Sequence, residues 1–456
     1  MAHHLANRDA SPSRSFWPRV REFAVPATMI ETATARRSAG DWAGACAAAG
    51  FDVDLDPRAA SRHHGPELAA RLRQDLRRLA PDLLRWHLPR IAPDGLLRPG
   101  LTVSLARYGS GDAGRAPVQL VARTDPAWAD AGQRVSLALW DPGRTGPADL
   151  RHPHPRPSPR FRLDLHRHLW DATRAHELPE RSGVGQLDAP HEDLTDLPSL
   201  TDSAWATHRW LDEARLLLNS LGLKRGSVLV RPGGRHRLVL DVTDTGVRAR
   251  AARSADRTLP VLPDAAVHLP PDITLLRTGA LAPHRLHPLV AAALAPGHDP
   301  APPDPYAQGH RHPVDCRGDL HHIALVDGVL TALDHDPAEV RREELLAALG
   351  GPPLPCLRAI DRAHRRPDAL AGVRERLEHG DTAGALAVVE GLLGREAVLR
   401  DGELRDALRE AARRRVVHGL FRAGLTGRRD THPSMLPTPR PGHHRGHPRT
   451  AQGSHR

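Results

Sequence analysis

The sequence predicts a mixed α+β protein. Two units, each a helical run followed by an antiparallel meander, lead into a C-terminal β-hairpin with a helical array, between basic tails. Three observations predict it. Alternating apolar segments come in threes, at 101–107, 118–123 and 134–140 and again at 227–230, 236–242 and 247–251, with the period of half-buried strands. Apolar residues at helical spacing precede each set. Near the end, Asp327-Gly328 stands between two apolar runs, the strongest short hairpin signal, because both turn residues must reach positive φ.

In chain order, residues 1–25 read as a disordered arm, with four Arg against Asp9 and Glu22. Residues 26–175 form the N-terminal α+β unit. A helix pair over 30–48 breaks at Gly40-Asp41, and a short strand follows at 51–53. Leu68, Leu72, Leu76, Leu79 and Leu83 then recur at helical spacing, with a restart at Pro81. After the first meander come a Pro/His-rich linker at 151–160, a strand at 161–165 and a helix around Trp170. Residues 176–202 are polar and proline-bearing and read as a linker between units. The middle α+β unit, 203–300, opens with a helix over 204–221 carrying Trp210, Ala214, Leu217, Leu218 and Leu221.

Residues 310–425 form the hairpin and the helical array. Pairing Val326 with Val329 sets the register. It places Leu325 opposite Leu330 and Ile323 opposite Ala332 on one side of the ribbon, with Ala324 and Thr331 on the other. Asp336 caps the next helix, with Pro337 at its first position and Glu339 three residues after the cap. Val340, Leu345, Leu346 and Leu349 make its apolar side, and Gly350-Gly351 ends it. Further helices fit 354–364, 368–378, 382–393 and 403–421. Residues 426–456 read as a disordered basic tail.

One stretch occurs nearly twice. Gly40-Asp41-Trp42-Ala43-Gly44-Ala45-Cys46-Ala47 and Gly380-Asp381-Thr382-Ala383-Gly384-Ala385-Leu386-Ala387 agree at six of eight positions. Each reads as a helical hairpin in which small residues allow close approach and Gly-Asp caps the turn. Locally this resembles the turn of tetratricopeptide-type helix pairs, but the repeat of about 34 residues that would make a solenoid is absent. Over most of 26–425 the chain resembles members of an uncharacterised protein family of GC-rich bacteria, on the strength of RRSAGDWAGACAAAGFDVDLD (36–56) and ALGGPPLPCLRAIDRAHRRPD (348–368). That resemblance implies no activity.

Composition narrows the function. At 456 residues the chain can bury a sizeable core. All eight Trp lie at or before Trp210, so the second half must pack with aliphatic residues. The formal charge of +10 is concentrated in the tails: residues 427–456 carry six Arg against Asp430. A broad basic surface on a folded domain is therefore not expected. Lys224 is the only lysine in an Ala-, Arg-, Pro- and His-rich chain, the signature of GC-rich coding. Cys46, Cys316 and Cys356 are too few for a disulfide framework. With no membrane-length apolar run and no signal-peptide core, a cytoplasmic protein without membrane association is expected.

The densest metal-like cluster is His310, His312, Cys316, His321 and His322, borderline ligands within a dozen residues. Its spacing matches no zinc motif, and 30 His in this composition scatter widely. The sequence alone therefore assigns no metal ligand and reads a solvated loop entering a strand. His166 and His168 would share one face of a strand. Nucleophilic catalysis needs a base beside the nucleophile and an oriented third group; Cys316 has His321 and His322 nearby in sequence, but a cysteine is ordinarily a small buried hydrophobe. Asp334-His335-Asp336 resembles an acid–base triplet, though Asp336 is better used as a helix cap. The Gly-rich Gly109–Gly114 stretch joins two strands instead of opening a helix, so it makes no phosphate loop. Arg317-Gly318-Asp319 spells an adhesion tripeptide without meaning in a cytosolic protein. No catalytic residue and no cofactor are assigned.

The expectation is a non-enzymatic cytosolic adaptor that docks an unknown protein partner through its helical hairpins. One alternative is an enzyme with a cleft near 315–322. Another is a weak, sequence-independent nucleic-acid binder acting through the Arg-rich tails, against which the lack of interleaved aromatics counts.

Overall fold

The structure is a computed structural model that describes residues 16–425, except 110–115, 130–131, 145, 187–204, 234–235, 245, 299–311 and 371. Residues 1–15, the basic tail 426–456 and His310 thus lie outside the described residues. The fold is mixed α+β, with several small sheets among helices. Among the described residues no helix is long and apolar enough to cross a membrane.

The N-terminal part builds a four-stranded sheet in the order Phe51–Val53, Val135–Trp140, Val118–Thr124, Thr102–Tyr108. The first pair is parallel and the others antiparallel. The meander is buried on both faces, which is why its alternation is imperfect. Helices Pro66–Arg78 and Pro81–His87 place Leu68, Leu72, Leu76 and Leu83 in one core with Leu105, Leu120 and Leu137.

Three expectations are corrected here. Residues 16–25 are not an arm: Trp17–Phe23 is a helix, and Phe16, Val20, Ala24 and Val25 are core residues. The arginines of this stretch concealed it. Arg21 is buried, its Nε 2.8 Å from Asp272 Oδ1, and its Nη1 donates to the Trp86 carbonyl at 2.7 Å. The segment 161–165 is not a regular strand but an irregular edge that bridges Ser104 through Phe161 O and Asp164 N. Around Trp170 there is only a 3-10 turn, Arg167–Leu169, held by Trp170 Nε1 donating to Leu163 O at 3.0 Å.

The linker expected from 176 begins with ordered structure, the short helix Leu178–Ser182, whose Leu178 is core. Helix Trp210–Asn219 then packs on a three-stranded sheet, Gly226–Gly233, His236–Val242 and Val247–Ala251. Helices Pro271–Arg277 and Pro288–Leu294 return to the N-terminal core through Leu275, Val290 and Ala291.

The C-terminal part matches its expectation closely. Strands His312–Cys316, Asp319–Val326 and Val329–Ala332 form an antiparallel ribbon with the expected register, Val326 opposite Val329 and Ile323 opposite Ala332. Asp327 and Gly328 have φ of 49° and 79°. Helix Pro337–Ala348 follows, its cap Asp336 accepting from Ala338 N at 3.1 Å. Its expected apolar face is not covered, and Leu345, Leu346 and Leu349 stand exposed. Helices Pro355–Arg365, Thr382–Leu393 and Glu403–Arg422 follow as expected, while 368–378 splits into a 3-10 turn and the shorter helix Val373–Glu378. These elements share a separate core of Cys316, Ile323, Leu330, Cys356, Ile360 and their neighbours.

Candidate metal centre

The ribbon's first turn sets the site. Cys316 pairs with Asp319 across the two-residue turn Arg317-Gly318, where φ is 61° and 94°. His321 pairs with Val314, two residues before Cys316. Because side chains alternate along a strand, Cys316 and His321 share one face of the ribbon and His322 takes the other. His335 follows the third strand, and Cys356 is the second residue of helix Pro355–Arg365. That helix packs across the ribbon through the shared core, which carries Cys356 to Cys316.

The result is a compact four-ligand group. One ligand atom each from Cys316, His321, His335 and Cys356 all lie within 4.8 Å of one another. Both cysteines are buried and both histidines half-buried. A tetrahedral zinc ion with thiolate and imidazole ligands has edges of about 3.3–3.8 Å, so the spacing suits such an ion. His321 Nδ1 and His335 Nε2 are 2.7 Å apart and would separate slightly around a cation. His335 Nδ1 lies 3.9 Å from Glu339 Oε2. That is beyond hydrogen-bond reach, so Glu339 places negative charge near the imidazole without bonding to it.

The Cys356 thiol needs a cation to ionise. Burial, then the Cys316 thiol and Asp334, push the Cys356 thiol up to about 12. A divalent ion reverses this, since thiolate is the ligand form. The start of helix Pro355–Arg365 also favours negative charge at Cys356. Two soft thiolates and two imidazoles in a tetrahedral set suit zinc better than the oxygen-seeking cations.

Two of the five residues of the sequence cluster are thus kept. Cys316 and His321 are in the group, but His312 lies exposed on the ribbon outside it. His322 turns to Asp334, its Nδ1 2.9 Å from Oδ2, while its backbone N donates to the same oxygen at 2.7 Å. The triplet Asp334-His335-Asp336 is taken apart, with Asp334 on His322, Asp336 on the helix start and His335 in the cluster. Sequence reasoning did not single out His335 and Cys356 as candidate ligands. The available signal was that two of the chain's three cysteines fall in one ribbon-and-helix unit.

The other candidates do not assemble a site. His166 and His168 are buried beside each other in irregular chain, ring centroids 5.8 Å apart. Burial, followed for His166 by Arg181 and for His168 by His166, keeps both far below the usual histidine range. Arg317, of the adhesion-like tripeptide, pairs with Glu339 and Glu343 in its turn. The Gly-rich loop falls mostly on residues outside those described, as does the basic tail. Cys46 is buried in the N-terminal core, and burial, then Asp41, push its thiol up to about 12. Compared with protein-family models, curated proteins and solved structures, the chain has no significant match.

Proposed function

We propose that this protein is a non-enzymatic interaction protein whose C-terminal unit is held together by a structural zinc ion. One observation carries the reading: the four ligand atoms all come from side chains, Cys316, His321, His335 and Cys356. A catalytic zinc keeps a position open for water or substrate, whereas a structural one is closed by four protein ligands. A closed set supplies architecture instead of chemistry. It also occupies Cys316 and His321, the groups that an enzyme cleft near 315–322 would have used. The staple links the ribbon to the first helices of the array, where the local core is small and a metal contributes most.

Purified untagged protein should hold one zinc per chain by native mass spectrometry. Cys356→Ser and His335→Ala should lose it and melt at lower temperature, while Cys46→Ser keeps it. Cobalt substitution then separates structural from catalytic metal. A tetrahedral cobalt spectrum unchanged by azide supports the closed site, and an azide-dependent spectrum would transfer the region to the enzyme reading. Protein without stoichiometric metal after gentle purification refutes the proposal.

A further inference from the structure

A second site lies far along the chain from the metal centre. The N-terminal helices and the middle unit enclose a cavity of about 400 Å³, within the size of small-molecule sites. Its walls are mostly apolar, with Trp17, Trp86, Phe161 and Leu163 among them. Its polar groups are almost all cationic or histidine: Arg21, Arg90, Arg98, Arg160, Arg181 and Arg209 line it, against Asp264 as the one acid among the described residues.

Most of these arginines are already neutralised. Arg21 is paired with Asp272, Arg160 binds Asp264 with both ends of its guanidinium at 2.9 and 2.7 Å, and Arg181 and Arg209 share Glu213. Arg90 and Arg98 differ. Arg90 donates to two carbonyls, Gly95 O and Arg85 O, each at 3.0 Å, and its Nε is buried without an acceptor. Arg98 lies over the Phe161 ring at 5.9 Å. Neither has a carboxylate partner among the described residues. Arg90 opens a two-stranded ribbon, Arg90–Ile91 paired with Leu96–Leu97, and Arg98 follows it with its backbone N donating to Pro89 O at 2.9 Å; both side chains line the cavity.

Two more groups in the walls are left unsatisfied. His87 Nε2 and His168 Nδ1 are buried with no hydrogen-bond partner, and His168 is only 5% exposed. Such atoms are costly when left bare, and buried polar atoms are ordinarily satisfied. Burial holds both rings far below the usual histidine range, with Arg21 adding to this for His87 and His166 for His168. Each ring is therefore neutral and brings one N–H and one lone pair. The cavity thus combines an aromatic wall, unmatched positive charge and waiting hydrogen-bond groups.

We infer that this cavity binds a small organic anion: a flat apolar body against Trp86 and Phe161, with a carboxylate or phosphate held by Arg90 and Arg98 and a polar edge reaching His87 or His168. The two anions share the recognition chemistry and differ in charge and shape, so the test keeps them apart. Full-length protein is titrated with 2-naphthoate, 2-naphthyl phosphate and the neutral 2-naphthamide, followed by calorimetry and tryptophan fluorescence.

One or both anions should bind at a single site at least about tenfold more tightly than the amide, a difference of about 1.4 kcal/mol. The tighter anion identifies the headgroup class. Arg98→Glu, a change at an exposed position, should weaken the anion about tenfold or more and leave zinc content and melting temperature unchanged. Equal affinity for amide and anions, full anion binding in Arg98→Glu, or no binding of either anion each overturns the inference.

Discussion

The two Gly-Asp hairpins differ in what surrounds them, not in how they are made. Asp41 accepts from Gly44 N at 2.8 Å, and Asp381 accepts from Gly384 N at 2.9 Å. In each, the Asp backbone N donates to the carbonyl of an arginine five residues earlier, Arg36 at 2.9 Å and Arg376 at 2.8 Å. Gly40 and Gly380 have φ of 78° and 87°. Yet a side chain on Gly40 would meet open space, whereas one on Gly380 would run into the Gly132 carbonyl. Beside Gly380, His379 O accepts from the buried Arg85 at 3.0 Å. The same eight-residue code writes an exposed turn near the start of the chain and a buried seam near its end. Local sequence sets a turn's shape, and its energetic weight comes from the neighbour it meets.

The seam can be broken most severely at Arg85. Its guanidinium donates to Ala24 O, Gln133 O and His379 O, tying the second hairpin to the N-terminal core. Arg85→Ala strands these carbonyls in a buried setting and should cost about 3–5 kcal/mol in urea unfolding. No position in the first hairpin should match it.

The glycines give the direct comparison. Gly380→Ala should cost about 3 kcal/mol, from positive φ together with forced separation from Gly132. Gly40→Ala should cost about 1 kcal/mol from φ alone. Equal losses would show that the Gly132 contact has no weight.

A titratable pin sharpens the contrast further. Helix Glu403–Arg422 reaches the N-terminal sheet with His418 between Asp125 and Asp52, at 3.2 and 3.4 Å, and Arg422 on Asp54. Burial opposes charge on His418, but the two carboxylates outweigh it and raise the group to about 9. Asp52 is held below the usual carboxylate range because His418, Arg134 and Arg422 overcome its burial. For a group raised above its unfolded value near 6.5, the stabilisation is complete below that pH and disappears as pH rises through about 9. Stability should fall by about 3 kcal/mol between pH 6.5 and 10, and His418→Gln should flatten that slope. An unchanged slope in the variant would remove His418 from the seam.

What was legible in the chain was what neighbours in sequence decide. Asp327-Gly328 specified the ribbon register, Asp336 and Asp381 marked helix starts, and the spaced leucines from Leu68 to Leu83 marked a core face. What was hidden depended on distant partners. Arg21 reads as part of a polar arm until Asp272, 251 residues away, buries its charge. The candidate metal group divides along the same line. Cys316 and His321 are joined by a two-residue turn, but His335 and Cys356 arrive only when the third strand and a helix fold over the ribbon.

The alternation of His321 and His322 along one strand has a consequence for quality control during folding. Slipping the ribbon by one residue would present His322, not His321, to Cys316 and turn the other imidazole outward. A mispaired ribbon would still offer the cysteines an imidazole, but it would turn Ile323 and Leu325 away from the core they share with Leu330. Packing of the apolar face, and not the four-ligand set, is therefore what rejects the slipped register.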